Sequence, residues 1–227
     1  MHRLMLAALL LGAAAPACAA DRDFPNAGFD KVDLTAAATV QVHTGGRFAV
    51  HATGDPKWLD LLNIRVVQNT LIIGWTRGQV QMHGRDPLHI QVTMPRISGA
   101  TLSGAGTIVV DRVDAPDFAA AIGGAGTIDL PALHADRAHF EMGGAGKITA
   151  AGSAGSVDAR VRGFGSVELA GLAARAGRFE MSGTGSIRAR VDGPADATMN
   201  GVGSIDVVGN PRCTVHKHGL GSIHCGG

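Results

Sequence analysis

The chain of 227 residues contains no tyrosine, only 4% aromatic residues and only 17% charged residues, with a formal net charge of +1. A nucleic-acid-binding surface needs a strong positive field and aromatic rings on which bases stack, and this composition supplies neither. No stretch has the ~20 continuous apolar residues that a membrane helix needs. We therefore expect neither a nucleic-acid partner nor a transmembrane segment in the mature chain.

Residues 1–20 have the pattern of a bacterial-type secretory signal peptide. Arg3 is followed by an apolar run over residues 4–11 and then by small residues, with Ala17 and Ala19 placed for cleavage. The apolar run is too short to span a bilayer. We therefore expect an exported protein, located in the periplasm or at the cell surface.

A five-residue phrase recurs seven times in the second half of the chain. It consists of a glycine, any residue, a second glycine, a small polar residue or lysine, and then Ile or Val. The first glycines are 20, 20, 19, 20, 18 and 18 residues apart, which indicates a structural repeat. The repeated glycines are Gly104, Gly106, Gly124, Gly126, Gly144, Gly146, Gly163, Gly165, Gly183, Gly185, Gly201, Gly203, Gly219 and Gly221.

Apolar residues flank each phrase at intervals of two, which is the period of a β-strand. Glycines without a Cβ allow sharp corners where stacked backbones crowd together. The repeat therefore predicts an all-β fold, a right-handed parallel β-helix (β-solenoid) with coils of about 20 residues. The predicted inward positions two before and four after the first glycine are Leu102, Ile122, Met142, Val161, Met181, Met199 and Lys217, and Ile108, Ile128, Ile148, Val167, Ile187, Ile205 and Ile223.

Outward positions before the glycines carry charges whose sign alternates from coil to coil. One such row contains Glu141, Arg160 and Glu180, and another contains His139, Asp158, Arg178 and Asp196. Opposite charges on adjacent strands attract each other, so we interpret these rows as a solvated face that neutralises itself. A ligand groove on this face is the alternative.

Residues 28–97 also alternate between apolar and polar, but they lack the glycine phrase. They predict a strand-rich N-terminal part of the same domain that contains the repeats of residues 98–225, and this part would cap one end. Gly45 and Gly46 predict a hairpin turn. Asp55 and Pro56 predict a short helix with an N-cap and a proline in its first turn. Residues 77–87 predict an exposed loop.

The chain has three cysteines, of which Cys18 lies in the signal peptide. Lipidation of Cys18 is disfavoured because Ala15 stands where such sites usually have leucine. Cys213 and Cys225 lie six residues before and six after Gly219, both at predicted inward positions. Since leftover cysteines in exported proteins usually pair, we predict a Cys213–Cys225 disulfide that caps the last coil.

Other chemistry is less well supported by the sequence. His216, His218 and His224 are zinc-ligand types near the cysteines, but strand alternation separates them from the cysteines, so we expect no metal. The phrase resembles calcium-binding nonapeptide repeats, but Ile128 and Ile148 stand where those repeats carry aspartate. No helix follows the glycines, which argues against a phosphate or dinucleotide loop. We therefore expect no cofactor.

Parallel β-helices include many polysaccharide-cleaving enzymes, and such enzymes use paired carboxylates. Asp129 and Glu168 fall in one outward row with a single coil between them, at roughly 10 Å. Arg188 is expected beside Glu168, and no deep cleft is implied. We therefore predict no catalytic residues, and keep a carbohydrate-active enzyme as the alternative.

A row of mostly hydroxyl residues follows the second glycine of each phrase. We expect these side chains to hydrogen-bond to the backbone of the corner, and weak glycan binding is the alternative. The row consists of Thr107, Thr127, Lys147, Ser166, Ser186, Ser204 and Ser222.

These motifs make the chain resemble the family called putative auto-transporter adhesin, head GIN domain. The resemblance rests on the series SGAGTI, GGAGTI, GGAGKI, SGTGSI and GVGSI, on the lead-in VTMPRISGATLSGAG over residues 92–106, and on the closing cysteine after GLGSI. It covers residues 29–225. It implies an exported β-helical module with an adhesive role, and it supplies no catalytic residues.

The hypothesis that follows is a non-enzymatic envelope protein that binds a carbohydrate or protein partner through the solenoid surface. A carbohydrate-active enzyme is one alternative, and a purely structural periplasmic protein is another. An exposed apolar patch would distinguish binding from a structural role. Trp75 and residues 77–87 are the places where we expect such a patch.

Overall fold

The computed structural model describes residues 20–76 and 88–226. The predicted signal peptide and the predicted loop over residues 77–87 lie outside the described residues, apart from Ala20. The described residues are 75% strand and 3% helix, with a β-solenoid of about six turns, which confirms the predicted all-β solenoid. Seven glycine corners bound these six turns.

Within residues 20–76 and 88–97, seven strands and one helix precede the repeats. The strands are β1 (Ala20–Asp23), β2 (Lys31–Leu34), β3 (Ala37–Thr44), β4 (Ala49–Gly54), β5 (Leu62–Val67), β6 (Thr70–Trp75) and β7 (His89–Met94). Helix α1 (Pro56–Leu61) begins after Asp55, whose side chain accepts a hydrogen bond of 2.9 Å from the backbone N–H of Lys57. This N-cap confirms the predicted short helix.

Eleven further strands form the repeats. They are β8 (Gly99–Leu102), β9 (Ala105–Val110), β10 (Val113–Ile122), β11 (Ala125–Met142), β12 (Ala145–Val161), β13 (Phe164–Met181), β14 (Thr184–Val191), β15 (Pro194–Met199), β16 (Val202–Gly209), β17 (Arg212–Lys217) and β18 (Leu220–Cys225). Each coil has a first arm, which follows a glycine corner, and a second arm, which leads into the next corner. Strands β11, β12 and β13 contain both arms of a coil.

Adjacent coils pair in parallel, and the glycine corners stack in register. Gly126 pairs with Gly106 on one side and with Gly146 on the other. The stacking continues in the same way through Gly165, Gly185, Gly203 and Gly221. This register puts equivalent residues of successive coils in straight rows about 4.8 Å apart.

The core consists of the inward rows. In the row two before the first glycine, the residues from Leu102 to Met199 are fully buried. Three phenylalanines, Phe118, Phe140 and Phe179, fill the second arms. No polar or charged residue among the described ones is fully buried, so the solenoid is held by apolar packing and by its backbone ladders.

The corner requires glycine for two reasons, as Gly126 shows. Its φ is +142°, a backbone conformation that side-chain-bearing residues rarely adopt. A Cβ added at Gly126 would also overlap the carbonyl oxygen of Gly106 in the coil beneath. The second glycines of the other corners face the same obstruction, so the phrase repeats because the coils stack closely.

The N-terminal strands do not stack in chain order. Strands β2 and β3 form a coil with a corner at residues 35–36, and this coil lies between β6 and β7 on one side and β8 and β9 on the other. Antiparallel strands β5, β4 and β1 then extend this end. The predicted hairpin at Gly45 and Gly46 is wrong, because β3 and β4 each pair with β7, which lies between them.

The other end of the solenoid is the last coil, β17 and β18. Cys213 and Cys225 are joined by a disulfide across this coil, with their Cα atoms 6.4 Å apart. Cys213 occupies an inward row but is exposed, because no further coil among the described residues covers it. Lys217 ends the apolar row beside Met199. A charge at an inward position discourages another strand from pairing with this edge.

Candidate functional site

The face formed by the first arms carries an unbroken row of polar side chains. Backbone pairing puts the predicted row of Thr107, Thr127, Lys147, Ser166, Ser186, Ser204 and Ser222 in register, and Thr39 extends it at the N-terminal end. We call this row the hydroxyl ladder. Its members stand about 4.8 Å apart, over a length of roughly 34 Å.

The hydroxyl ladder does not hydrogen-bond to the backbone of the corners. Within the described part of the chain, the ladder makes one side-chain hydrogen bond, in which Ser204 donates to Asp206 over 3.2 Å. The expected role in stabilising the corner is therefore wrong. The other ladder side chains are half-buried or exposed, and their polar groups are free to bind water or a ligand.

A second polar row runs beside the ladder, two residues further along each first arm. It consists of Gln41, Val109, Asp129, Thr149, Glu168, Arg188, Asp206 and His224. His224 Nδ1 lies 3.0 Å from Asp206 Oδ1. Asp129 and Glu168 are separated by Thr149, as predicted, and neither carboxylate lines any of three cavities of about 370, 660 and 950 Å³ on the described surface.

A shallow groove of about 950 Å³ lies over the corners of the N-terminal half. Its floor is made of alanines and corner glycines, and its ends are Trp75 and Phe164. Trp75 packs at a tilt against Trp58, with ring centroids 6.4 Å apart. We call this feature the corner groove.

In the C-terminal half of the same surface, large apolar side chains protrude at the positions that alanines occupy in the corner groove. Phe164 is 69% exposed and Leu220 is 76% exposed, and Val202 lies between them at 49%. All three lie between the two glycines of their phrase. The glycine repeat alone does not predict this surface, although the change from alanine to larger residues between the two glycines is visible in the sequence.

The face formed by the second arms carries the alternating charges that the sequence predicted. Glu141 pairs with Arg160 and Arg160 with Glu180 in the backbone register. Arg160 lies 2.9 Å from Asp158 and 3.7 Å from Glu180. An indentation of about 370 Å³ opens beside these strands. Since its charges have neighbours of opposite sign, this face behaves as a self-neutralising surface.

Hydrogen bonds between adjacent strands shift the pKa values of several surface groups, among them Asp117 and His51. The Arg137 guanidinium donates hydrogen bonds to Asp117 and thereby lowers the pKa of that carboxyl. His51 Nδ1 lies 2.8 Å from Asp23 Oδ1, and this hydrogen bond raises the pKa of the imidazole. Both pairs join adjacent strands, so they contribute to strand pairing.

The described residues contain no group of three or more histidine, cysteine or acidic side chains placed to hold a metal ion. In particular, His216 and His218 do not converge on the disulfide-bonded cysteines. None of the helices in the described ranges has the length and apolar character needed to cross a membrane.

Solved structures that share the fold include two putative adhesins and a putative lipid binding protein. A putative adhesin from Bacteroides fragilis is 23% identical, with a TM-score of 0.86 over 91% of this chain and 96% of that chain. A putative lipid binding protein from Parabacteroides distasonis is 17% identical, with a TM-score of 0.66 over 91% and 96%. A putative adhesin from Parabacteroides merdae is 14% identical, with a TM-score of 0.64 over 91% and 95%.

At these identities the structural likeness establishes the fold alone. No curated protein matches the chain. The model of one family matches residues 28–211, which is most of the chain and includes all but the last coil. The chain therefore belongs to the family described as putative auto-transporter adhesin, head GIN domain.

Proposed function

We propose that the protein is an exported, non-enzymatic component of the cell envelope that binds a carbohydrate polymer along the hydroxyl ladder. The observation that carries the proposal is the ladder itself, a straight row of side chains that make almost no hydrogen bonds within the described chain. Ser and Thr hydroxyls both donate and accept, as sugar hydroxyls do, so the ladder suits a carbohydrate better than a protein partner.

The geometry favours a long ligand over a small one. Small ligands bind in concave pockets that bury most of their surface, and no ladder residue lines any of the three cavities of about 370, 660 and 950 Å³. Each hydrogen bond from the ladder would be weak because water competes for both partners. A polymer that lies along the rod would make many such bonds at once, and the rigid solenoid holds the hydroxyls in place before binding.

The ladder is tested by removing hydroxyls from its middle. A triple variant with Thr127→Val, Ser166→Ala and Ser186→Ala keeps the shape of the face but removes three donors. We expect its apparent affinity on a microarray of bacterial and host polysaccharides to fall by about tenfold or more, since each lost bond is worth ~1 kcal/mol. Thr198→Val, on the second-arm face, is the matched control.

Two outcomes would contradict this proposal. If the triple variant binds as tightly as the wild-type protein, the ligand lies elsewhere on the solenoid. If the wild-type protein binds no polysaccharide on the array, the structural periplasmic role replaces it. Turnover of a polysaccharide that is lost on Asp129→Asn or Glu168→Gln substitution would instead favour the enzyme alternative.

Export rests on the pattern of residues 1–20 and on the family. Protease treatment of intact cells, followed by detection of the C-terminal coils with an antibody, distinguishes the cell surface from the periplasm. Cleavage in intact cells, with a periplasmic control protein left uncut, indicates the cell surface. Cleavage only after the outer membrane is opened indicates the periplasm, and the adhesive role then fails.

A further inference from the structure

The residues between the two glycines of each phrase form, together with Ala37 of the coil made by β2 and β3, one straight row along the corner surface, and this row has two unlike halves. Pairing in register places Ala37, Ala105, Ala125 and Ala145 in succession, followed by Phe164, Thr184, Val202 and Leu220. The four alanines are the floor of the corner groove. The next four residues form a ridge, of which Phe164, Val202 and Leu220 are exposed large apolar side chains.

The groove and the ridge are complementary in a second copy of the chain. A twofold axis that crosses the rod between Ala145 and Phe164, in the plane of contact, would place two rods antiparallel with their corner surfaces together. Each of the four bulky residues would then face an alanine: Phe164 on Ala145, Thr184 on Ala125, Val202 on Ala105 and Leu220 on Ala37. We propose that the protein forms this antiparallel dimer, with the ridge of each copy in the corner groove of the other.

The spacing of the two halves makes the match exact in register. Both halves have four residues, and both inherit the same strand separation of about 4.8 Å from the coils. A side chain of one rod therefore meets its alanine in every coil without sliding. Such a contact is isologous, since the same patch serves both copies and the assembly closes at two.

Charge does not oppose the contact near the axis, although Arg65 also lines the corner groove. The row just before the first glycines, which flanks the residues between the two glycines, is Ser103, Gly123, Gly143, Arg162, Ser182, Asn200 and His218. Its one arginine, Arg162, lies 2.6 Å from Glu141 in the same chain. The twofold axis would bring Arg162 of one copy over Gly143 of the other, where a glycine leaves room for it. The two Arg162–Glu141 pairs near the axis sum to zero charge.

The size of the contact predicts a weak dimer. A strip roughly 34 Å long, from eight corners, and on the order of 12 Å wide would bury about 800 Å² in total. Stable interfaces bury about 1,200–2,000 Å², so we expect a dissociation constant in the micromolar to millimolar range. Phe164 and Leu220 would contribute most because they are the largest side chains that lose contact with water.

Cysteine trapping tests the arrangement. One preparation of the exported chain carries Ala105→Cys and a second carries Val202→Cys, and the two are mixed and mildly oxidised. Because residues 105 and 202 face each other across the axis, we expect a covalent dimer from the unlike pair. Each variant oxidised alone should yield at least about fivefold less covalent dimer than the mixture, since like positions lie far apart in the antiparallel dimer.

Sedimentation equilibrium up to about 1 mM gives an independent measurement. Ala125→Arg fills the exposed floor of the groove and should weaken the dimer by about tenfold or more. Ala173→Arg adds the same charge at an exposed alanine outside the corner surface, and should leave the dimer unchanged. The proposal is overturned by a monomer at the highest concentration, by a dimer insensitive to Ala125→Arg, or by like pairs that cross-link as well as the unlike pair.

Discussion

The second glycine of each phrase is where a single residue has most influence on the fold. Gly126→Ala would force a side chain into a backbone with φ of +142° and against the carbonyl oxygen of Gly106. Neither the backbone of that coil nor the one beneath can move without disturbing the stack. We expect a loss of more than about 3 kcal/mol in the free energy of unfolding, measured by denaturant titration.

A neighbouring glycine provides the control. Gly123 lies immediately before the same corner, but a Cβ added there would meet nothing within 4 Å. Gly123→Ala should be neutral or stabilising by about 0.4–1 kcal/mol, because alanine restricts the unfolded chain. Equal destabilisation by both substitutions would show that the corner is generally intolerant and that close stacking at Gly126 is not the cause.

His51 makes the pairing of β1 with β4 depend on pH. Its imidazole bonds to Asp23 at 2.8 Å and lies 3.6 Å from Asp21, and these carboxylates raise its pKa above the ordinary value of 6.5. A raised folded pKa means that the added stability is fully present below 6.5 and is lost as pH rises through the folded pKa. The amides of β1 should therefore be better protected from hydrogen exchange at pH 5.5 than at pH 8.

The His51→Gln variant tests whether this histidine is responsible. Protection factors, which correct for the intrinsic pH dependence of exchange, should then be nearly equal at the two pH values. A pH dependence that survives in this variant would have to come from another group, such as the two aspartates themselves.

At the scale of elements, the disulfide contributes more to the stability of the last coil than any single interaction contributes to an inner coil. Strand β17 is exposed throughout and pairs in parallel on one side only, with β15. The Cys213–Cys225 bond closes a loop of 12 residues, and such a crosslink contributes about 2–4 kcal/mol. Replacing both cysteines by serine should therefore loosen β17 and β18.

Hydrogen exchange localises that effect. Because each coil contacts only its neighbours, we expect faster exchange over residues 212–225 and unchanged exchange in β11. The unsubstituted protein in reducing buffer should behave like the double variant. Faster exchange along the whole rod would mean that the disulfide stabilises the solenoid as one cooperative unit.

The arms and corners were predictable from sequence because each is specified within about 20 residues. The period of two fixes which side chains point inward, and the positions from Leu102 to Met199 are all buried as expected. The insertion of β2 and β3 between β6 and β8 was not predictable, since strand order there depends on pairings some 40 to 70 residues apart. The two glycines at 45 and 46 suggested a local turn that this long-range pairing overrides.

The candidate surfaces were predictable only in part. The row from Thr107 to Ser222 is in the sequence, but whether its hydroxyls bond to the corner depends on side-chain geometry that spacing does not give. The groove and the ridge become visible only when the residue between the two glycines is compared across all seven phrases and with Ala37 of the coil made by β2 and β3. That comparison becomes informative only when stacking in register makes the eight positions neighbours.

At the scale of the whole molecule, the proposed dimer bears on the proposed function. Its twofold axis lies across the rods, so it leaves both hydroxyl ladders on the same side of the pair. Two ladders on one surface can engage the same polymer or neighbouring polymers, and the second contact then forms at a high effective concentration. A weak dimer would be reinforced in this way on a polymer surface.

This linkage predicts different behaviour with long and short ligands. On an immobilised polysaccharide that the protein binds, Ala125→Arg should reduce the apparent affinity by about tenfold or more, because it removes the second ladder. For a short oligosaccharide of the same polymer, which reaches one ladder only, the same substitution should have no effect. Ala173→Arg should change neither measurement.

The comparison also separates the two proposals from each other. Residue 125 lies two positions before Thr127, so an arginine that disturbed the ladder directly would weaken the long and the short ligand equally. A selective loss on the polymer can arise only if the ladders act as a pair, because the single-ladder contact is unchanged. If Ala125→Arg binds the polymer as tightly as the wild-type protein while the ladder variant binds it more weakly, the ladder is the glycan site and the dimer does not contribute to binding.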